Sequence, residues 1–170
     1  MITQLIKKKY DEVNLKVANP IIPEPIKTSL INDFLINSKN EFHILDLEIE
    51  NTFTSLKSTT DLLNINFNSD SGIKIKFFKI DMDVDAYKII INSQDVEIYA
   101  SSYGGKFYAM ISLLHLAYFH SGNLPIGTIE DGPRFQWRGM HLDCSRQFHS
   151  LDQIQRLLIY MSLFKLNRFH

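Results

Sequence analysis

The sequence predicts an α+β fold: a sheet carrying two helices, followed by the opening strand, helix and strand onset of a second unit. Three observations predict it. Short strand-like runs cluster between residues 62 and 100. Two longer stretches carry apolar residues at helical spacing around them. A Gly/Pro-dense stretch then separates this grammar from a strand–helix–strand pattern at the C-terminus.

Pro20, Pro23 and Pro25 suit an edge or extended lead-in rather than a helix. Phe34 to Ile36 reads as a short strand. Ser38 followed by Glu41 has the form of a capping box, and Leu45, Ile49, Phe53 and Leu56 recur at helical spacing, which predicts a helix from Asn40 to Lys57. Strands are expected at Leu62–Phe67, Ile73–Phe78, Tyr87–Ile91 and Val96–Ala100, the last two as a hairpin around Ser93–Asp95. Tyr87, Ile89 and Ile91 alternate with Lys88, Ile90 and Asn92, so at least one sheet face should be covered. Gly104 and Gly105 open a second helix with Phe107, Met110, Ile111, Leu114 and Tyr118 on its apolar stripe, and Gly122 lies just past its end.

Ser121 to Pro133 reads as the linker, giving an N-terminal α+β domain over 1–130 and a second unit over 131–170. In that unit Gln136–Asp143 reads as a buried strand. Ser150 and Gln153 form another capping box, ahead of an amphipathic helix through Ile154, Leu157, Leu158, Met161 and Phe164. Leu166 to His170 begins a further apolar run.

The chain has 170 residues, 45% of them hydrophobic, with 18 basic against 19 acidic side chains and a net charge of −1. That composition is globular, and the balance gives no basic excess for nucleic acid. Cys144 is the single cysteine, so no intrachain disulfide forms. In MITQLIKKKY the lysines follow the apolar residues, the reverse of a secretory leader, and Ser112 and His115 interrupt the longest apolar stretch. The expectation is a cytoplasmic chain without a membrane span.

Most chemical motifs fail on spacing. There is no HExxH, and His141, His149 and His170 are not at metal-ligand spacing, which favours surface or hydrogen-bonded histidines. Gly104-Gly105 is not a phosphate loop, and Ser145 lacks a nucleophile-elbow frame. Asp81, Asp83 and Asp85 lack the glycine and distal glutamate of a calcium loop and read as a solvated turn.

The C-terminal segment carries a denser pattern. Asp131, Pro133, Arg134 and Phe135 precede Trp137-Arg138-Gly139; then come Leu142, Asp143, Ser145, Arg146 and Phe148, and finally Lys165, Leu166, Asn167 and His170. This resembles the start of the catalytic barrel in glycoside hydrolase family 20, the β-N-acetylhexosaminidases. Gln147 stands where the family usually has histidine. Upstream, Gly105, Phe107, Tyr108 and Ala109 resemble a helix start in the family's small α+β domain.

The resemblance implies that residues 131–170 are the first βα unit of a TIM (β/α)8 barrel, which needs about 250 residues in all. It implies retaining, substrate-assisted hydrolysis of terminal N-acetylhexosamine from a glycan, with no metal or organic cofactor. The family's catalytic Asp-Glu pair has no counterpart here, so the chain holds no catalytic residue and is expected to be inactive alone. Arg138 is the expected substrate-binding residue, its guanidinium donating to sugar hydroxyls. The competing reading is a buried arginine paired with a carboxylate such as Asp143. Asp143 and Arg146 are expected in structural pairs, His170 as pocket support, Trp137 as packing between domains and Cys144 as a small buried hydrophobe. An incomplete barrel should leave the Ile154–Phe164 stripe exposed and prone to self-association. The alternative function is a non-catalytic module binding carbohydrate or a partner through its sheet.

Overall fold

The computed structural model describes residues 19–67 and 69–170. The MITQLIKKKY stretch and what it says of export lie outside them. The strands are β1 (Lys27–Leu35), β2 (Phe42–Ile44), β3 (Ile73–Lys79), β4 (Tyr87–Ile91), β5 (Asp95–Ala100), β6 (Leu124–Asp131), β7 (Gly139–Met140) and β8 (Arg168–Phe169). The helices are α1 (Leu47–Ser55), α2 (Lys57–Leu62), α3 (Tyr103–Phe119) and α4 (Leu151–Leu163). None of the described helices is long and apolar enough to cross a membrane.

Six strands form one mixed sheet in the order β1-β6-β4-β5-β3-β2. The β4–β5 hairpin forms as the sequence predicts, with Tyr87 opposite Ala100 and Ile91 opposite Val96. β3 runs parallel to β5 and to β2. Tyr87, Ile89, Ile91, Val96, Ile98 and Ala100 point into the core, and α3 covers them with Ala109, Met110, Leu113 and Leu116. Ser102 caps α3 by accepting from the Gly105 amide at 3.1 Å. Gly105 lets that helix approach the sheet, because a Cβ there would stand 2.4 Å from the Ala86 carbonyl oxygen. On the opposite face, Lys76 pairs with Asp95 and Lys88 with Glu130.

Three sequence expectations are corrected. The helix predicted from Asn40 begins only at Leu47, with Asp46 as its cap accepting from the Ile49 amide. The Ser38–Glu41 signal is superseded by Asn37, whose side chain bonds both the amide and the carbonyl of Glu41 and turns the chain into β2. Residues 62–67 form the end of α2 and an irregular return, yet Ile65 and Phe67 are still buried. Alternate burial there comes without a strand ladder.

The expected linker is largely β6, antiparallel to both β1 and β4. Its glycine and proline answer local geometry. β4 pairs only with Gly127–Asp131, so Pro125 sits where β6 has one neighbour and needs no second donor. Gly127 has φ +145, and a Cβ there would meet the Ser29 carbonyl oxygen at 2.1 Å, beside the register shift in β1.

Beyond β6 the chain forms a parallel β7–α4–β8 unit. The Ser150–Gln153 capping box is complete, with bonds of 3.3 and 2.9 Å. The buried strand expected over 136–143 is only two exposed residues long, Gly139 and Met140. Trp137 is 73% exposed, under the Arg168 guanidinium, and Cys144 is exposed too; neither packs into a core as expected. Of the stripe expected to stay exposed, Leu158 and Phe164 are exposed, Ile154 and Leu157 are half-buried, and Met161 is buried at 4% exposure, so the expectation holds only in part; Leu151 and Tyr160, off that stripe, are exposed too.

Replacing Gly127 by valine should destabilise the chain by about 2 kcal/mol or more, because both the backbone region and the contact forbid a side chain. Urea unfolding monitored by circular dichroism measures this, with Gly132→Ala, just past the end of β6, as a control.

Candidate functional site

The βαβ unit has two ends of different character. Residues just before β7 and β8 face the sheet module, and residues just after them face away from it.

On the first side lies a buried polar junction. Lys165 Nζ is 2.9 Å from Asp131 Oδ2, with side chains only 7% and 8% exposed. The ammonium also donates to the Tyr87 hydroxyl at 2.7 Å, and that hydroxyl donates to Asp131 at 2.8 Å. Ser112 Oγ lies 2.6 Å from the same phenol oxygen. Burial and then the Asp131 charge push the Tyr87 phenol well above its usual range. Burial lowers the Lys165 ammonium against the pull of Asp131.

Lys165 reaches this position through a left-handed backbone, φ 58. It follows the last turn of α4, where its amide bonds Ser162 and the Leu166 amide bonds Met161. That is a Schellman ending, normally closed by glycine. Here a lysine takes the conformation and sends its side chain into the junction.

Arg138 binds the same end. Its Nε donates to the Lys165 carbonyl at 2.8 Å, Nη1 to the Phe135 carbonyl at 2.9 Å, and Nη2 to Asp85 at 3.2 Å. The guanidinium also lies 5.3 Å from the Tyr108 ring centroid. Asn167 closes the loop by accepting from the Arg138 amide and donating to the Gln136 carbonyl. Arg134 donates to the Glu24 carbonyl, tying in the proline-rich lead-in. A cleft of about 250 Å³ between Pro23, Tyr108, Phe135 and Arg138 lies beside this junction.

Arg138 is thus paired with a carboxylate, but with Asp85 rather than Asp143. Asp85 does lie in a turn, but its side chain is only 20% exposed and paired rather than solvated, while Asp81 and Asp83 are exposed. The roles of Tyr87 and Asp85 were invisible to spacing, since their partners lie 78 and 53 residues away.

On the second side, Asp143 accepts from the Ser145 amide and sits 3.9 Å from Arg146, whose side chain is 89% exposed. His141 and His170, which sequence spacing kept apart, meet there with their Nδ1 atoms 2.9 Å apart. The described residues contain no group of three or more metal-ligating side chains. Near the junction, His115 accepts from the Ile22 amide, and burial with the Lys165 charge lowers its pKa to about 4.

Known proteins resemble this chain in sequence and in fold. Residues 135–170 match the glycosyl hydrolase family 20 catalytic domain. A β-hexosaminidase of Vibrio furnissii is 38% identical over 91 residues, covering 52% of this chain and 15% of the relative. Subunit B1 of the Dictyostelium discoideum β-hexosaminidase is 30% identical over 162 residues, covering 88% of this chain and 28% of the relative. The solved structure of an inactive mutant of the Vibrio harveyi family-20 exo-β-N-acetylglucosaminidase superposes with TM-score 0.75 at 29% identity. That match covers 93% of this chain and 26% of that one. The family resemblance read from the motifs is borne out, and this chain is related to the family-20 glycoside hydrolases. It spans less than a third of the length of these relatives.

Lys165→Met should cost about 3–5 kcal/mol, because Asp131 is then left buried and unpaired. Adding Asp131→Asn should restore part of that loss in urea unfolding. A second expectation concerns acid. His115 is held neutral when folded but gains a proton when unfolded, so its contribution is complete above pH 6.5 and fades as pH falls toward 4. Up to about 3 kcal/mol follows from that displacement. His115→Gln should flatten this part of the stability–pH curve in unfolding measured between pH 7.5 and 4.

Proposed function

We propose that this chain supplies the N-terminal sheet module and the first βαβ unit of a glycoside hydrolase barrel acting on terminal, non-reducing N-acetylhexosamine. The observation that carries the reading is the parallel β7–α4–β8 unit, located within the span matching the family-20 catalytic domain and carrying its motif residues. In barrels of this kind, chemistry is done at the C-terminal ends of the strands, and the N-terminal ends serve stability.

That polarity divides the two arginines. Arg138 precedes β7, and its guanidinium is engaged by Asp85, Phe135 and Lys165. We assign it an architectural role in place of the sugar contact expected from the sequence. Arg146 follows β7, is exposed, and has only a long contact to Asp143. It is the better placed guanidinium to donate to sugar hydroxyl oxygens, which accept in the fork geometry that lysine cannot offer. Asp143, also past β7, holds the turn from which Arg146 projects by accepting from Ser145.

The reaction proposed is retaining and substrate-assisted. The 2-acetamido carbonyl oxygen attacks the anomeric carbon, the glycosidic bond breaks, and a carboxylic acid protonates the leaving oxygen. Water then opens the cyclic intermediate with the original configuration restored. The acid and the carboxylate orienting the acetamido group are not assigned to any residue of this chain. The exposed apolar side chains of α4, led by Leu151, Leu158 and Tyr160, would draw two copies together when nothing else covers them.

The sheet module also has a core of its own, which keeps a binding-module reading in view. Grafting this chain in place of the matching segment of the Vibrio harveyi enzyme tests the proposal. The chimera should hydrolyse an aryl N-acetylglucosaminide, whereas the 170-residue chain alone should not. In the chimera Arg146→Lys should lower kcat/KM by about a hundredfold, the loss of one strong transition-state contact. Arg138→Ala should chiefly lower the melting temperature. A folded but inert chimera, together with tight binding of N-acetylglucosamine oligomers by the chain alone, would favour the module instead.

A further inference from the structure

The pairing of β7 with β8 is extended inward by a side chain. In a parallel ladder, alternate residues of one strand bond the backbone on both sides of the residue they face, at even spacing. The His170 amide bonds the Met140 carbonyl at 3.0 Å, and the Leu142 amide bonds the His170 carbonyl at 2.8 Å. One step back, Arg168 faces Gly139 and its amide bonds the Arg138 carbonyl at 3.2 Å. The next rung would belong to Leu166, its amide donating to the Gln136 carbonyl and its carbonyl accepting from the Arg138 amide. The Leu166 amide is already committed to the Met161 carbonyl at 2.9 Å, in the turn that ends α4. The Asn167 side chain makes both bonds instead. Its Nδ2 donates to the Gln136 carbonyl at 3.0 Å, and its Oδ1 accepts from the Arg138 amide at 3.0 Å. The carboxamide, which carries the same donor and acceptor as a peptide group, stands in for the backbone of Leu166.

We propose that Asn167 is a positioning residue for the reaction: its carboxamide sets the register of β7 against β8 and, through β7, the placement of Arg146. The assignment rests on the reading of Arg146 as the guanidinium that meets the sugar. A ladder of two residue pairs offers little resistance to a slip. Gly139 permits the close pairing, since a Cβ there would stand 3.1 Å from the Arg168 Cβ, but it brings no side chain to hold the register. Asn167 does hold it, because it grips the chain on both sides of Trp137, and a shift by one residue would lose both bonds. From this clamp the path outward is short. β7 leads to Leu142, tied to the His170 carbonyl, and then to the Asp143–Ser145 turn from which Arg146 projects.

The chemistry explains why this residue type is used. Aspartate keeps the acceptor but turns the donor into a second oxygen facing the Gln136 carbonyl. Glutamine carries the same group one methylene further out, beyond the reach the rung allows.

Two measurements separate this role from a local loop contact. In the 170-residue chain, nuclear magnetic resonance should show Gly139 beside Arg168 and Met140 beside Phe169. Asn167→Ala should lose these cross-strand contacts while those between β4 and β5 persist; their survival would overturn the proposal. Asn167→Asp, which keeps one of the two bonds, should lose them as well and serves as the same test if the alanine variant does not fold. In the chimera with the Vibrio harveyi enzyme, Asn167→Ala should lower kcat/KM by about tenfold or more, the effect of misplacing a contact group, and Asn167→Gln should not rescue it. In the Arg146→Lys background the same change should cost less than about twofold, because the contact it positions is already gone. Equal losses in both backgrounds, or a fall in melting temperature alone, would overturn the proposal and leave Asn167 a purely structural residue. An inert parent chimera would overturn the glycosidase reading and with it the step to Arg146, while the cross-strand contacts would still decide whether Asn167 sets the register.

Discussion

A lysine ammonium and an aspartate carboxylate, both almost fully withdrawn from water, fix where the βαβ unit sits. Burying two charges costs several kcal/mol per ion unless further hydrogen bonds satisfy them. Tyr87 and Ser112 supply those bonds from the sheet and from α3. Four segments of chain thus converge on one set of atoms. Arg138 adds a second link a short way off, joining the loop before β7 to Asp85 and to the Lys165 carbonyl. Because an orphaned buried charge is so costly, the junction has one acceptable geometry, and the direction of β7 and β8 follows from it.

Much of the fold was legible. The β4–β5 hairpin, the long helix, the Ser150–Gln153 box and the strand–helix–strand tail all follow from periodicity and capping residues, while the Ser102 cap of the long helix was passed over for Gly104 and Gly105. The failures have physical causes. Ser38 and Glu41 match a capping box, but Asn37 takes the Glu41 backbone first, and Phe42 and Ile44 then gain more by burial on β2. Gly127 and Pro125 read as linker composition, whereas a close approach to Ser29 and a one-sided stretch of sheet are what call for them. Composition cannot distinguish a break in the sheet from an accommodation within it.

The candidate site divides in the same way. The motif residues Asp131, Arg138, Lys165 and Asn167 were visible as a pattern, and the structure gathers them on the inward side of the βαβ unit. Their partners Tyr87 and Asp85 carry no local signal, since one reads as a strand hydrophobe and the other as part of an acidic turn. The order of Arg138 and Arg146 around β7 was available in the sequence and separates an inward from an outward guanidinium. The meeting of His141 and His170 was not, because it depends on a parallel register across an intervening helix.

The left-handed turn at Lys165 has a consequence for the order of assembly. The side chain reaches Asp131 only once α4 has formed its last turn, and its other partner lies on β4, 78 residues earlier. The sheet, its hairpin and α3 precede all of this in the chain. During synthesis they can collapse on local contacts while the tail is still being made. The finished sheet then acts as a template on which the C-terminal unit is cast. Tyr87→Phe keeps the ring that packs in the sheet core and removes only the hydroxyl that meets Asp131 and Lys165, so it would leave the template sound and spoil the casting, showing up as slow or misdirected docking of the last forty or so residues rather than as loss of the sheet.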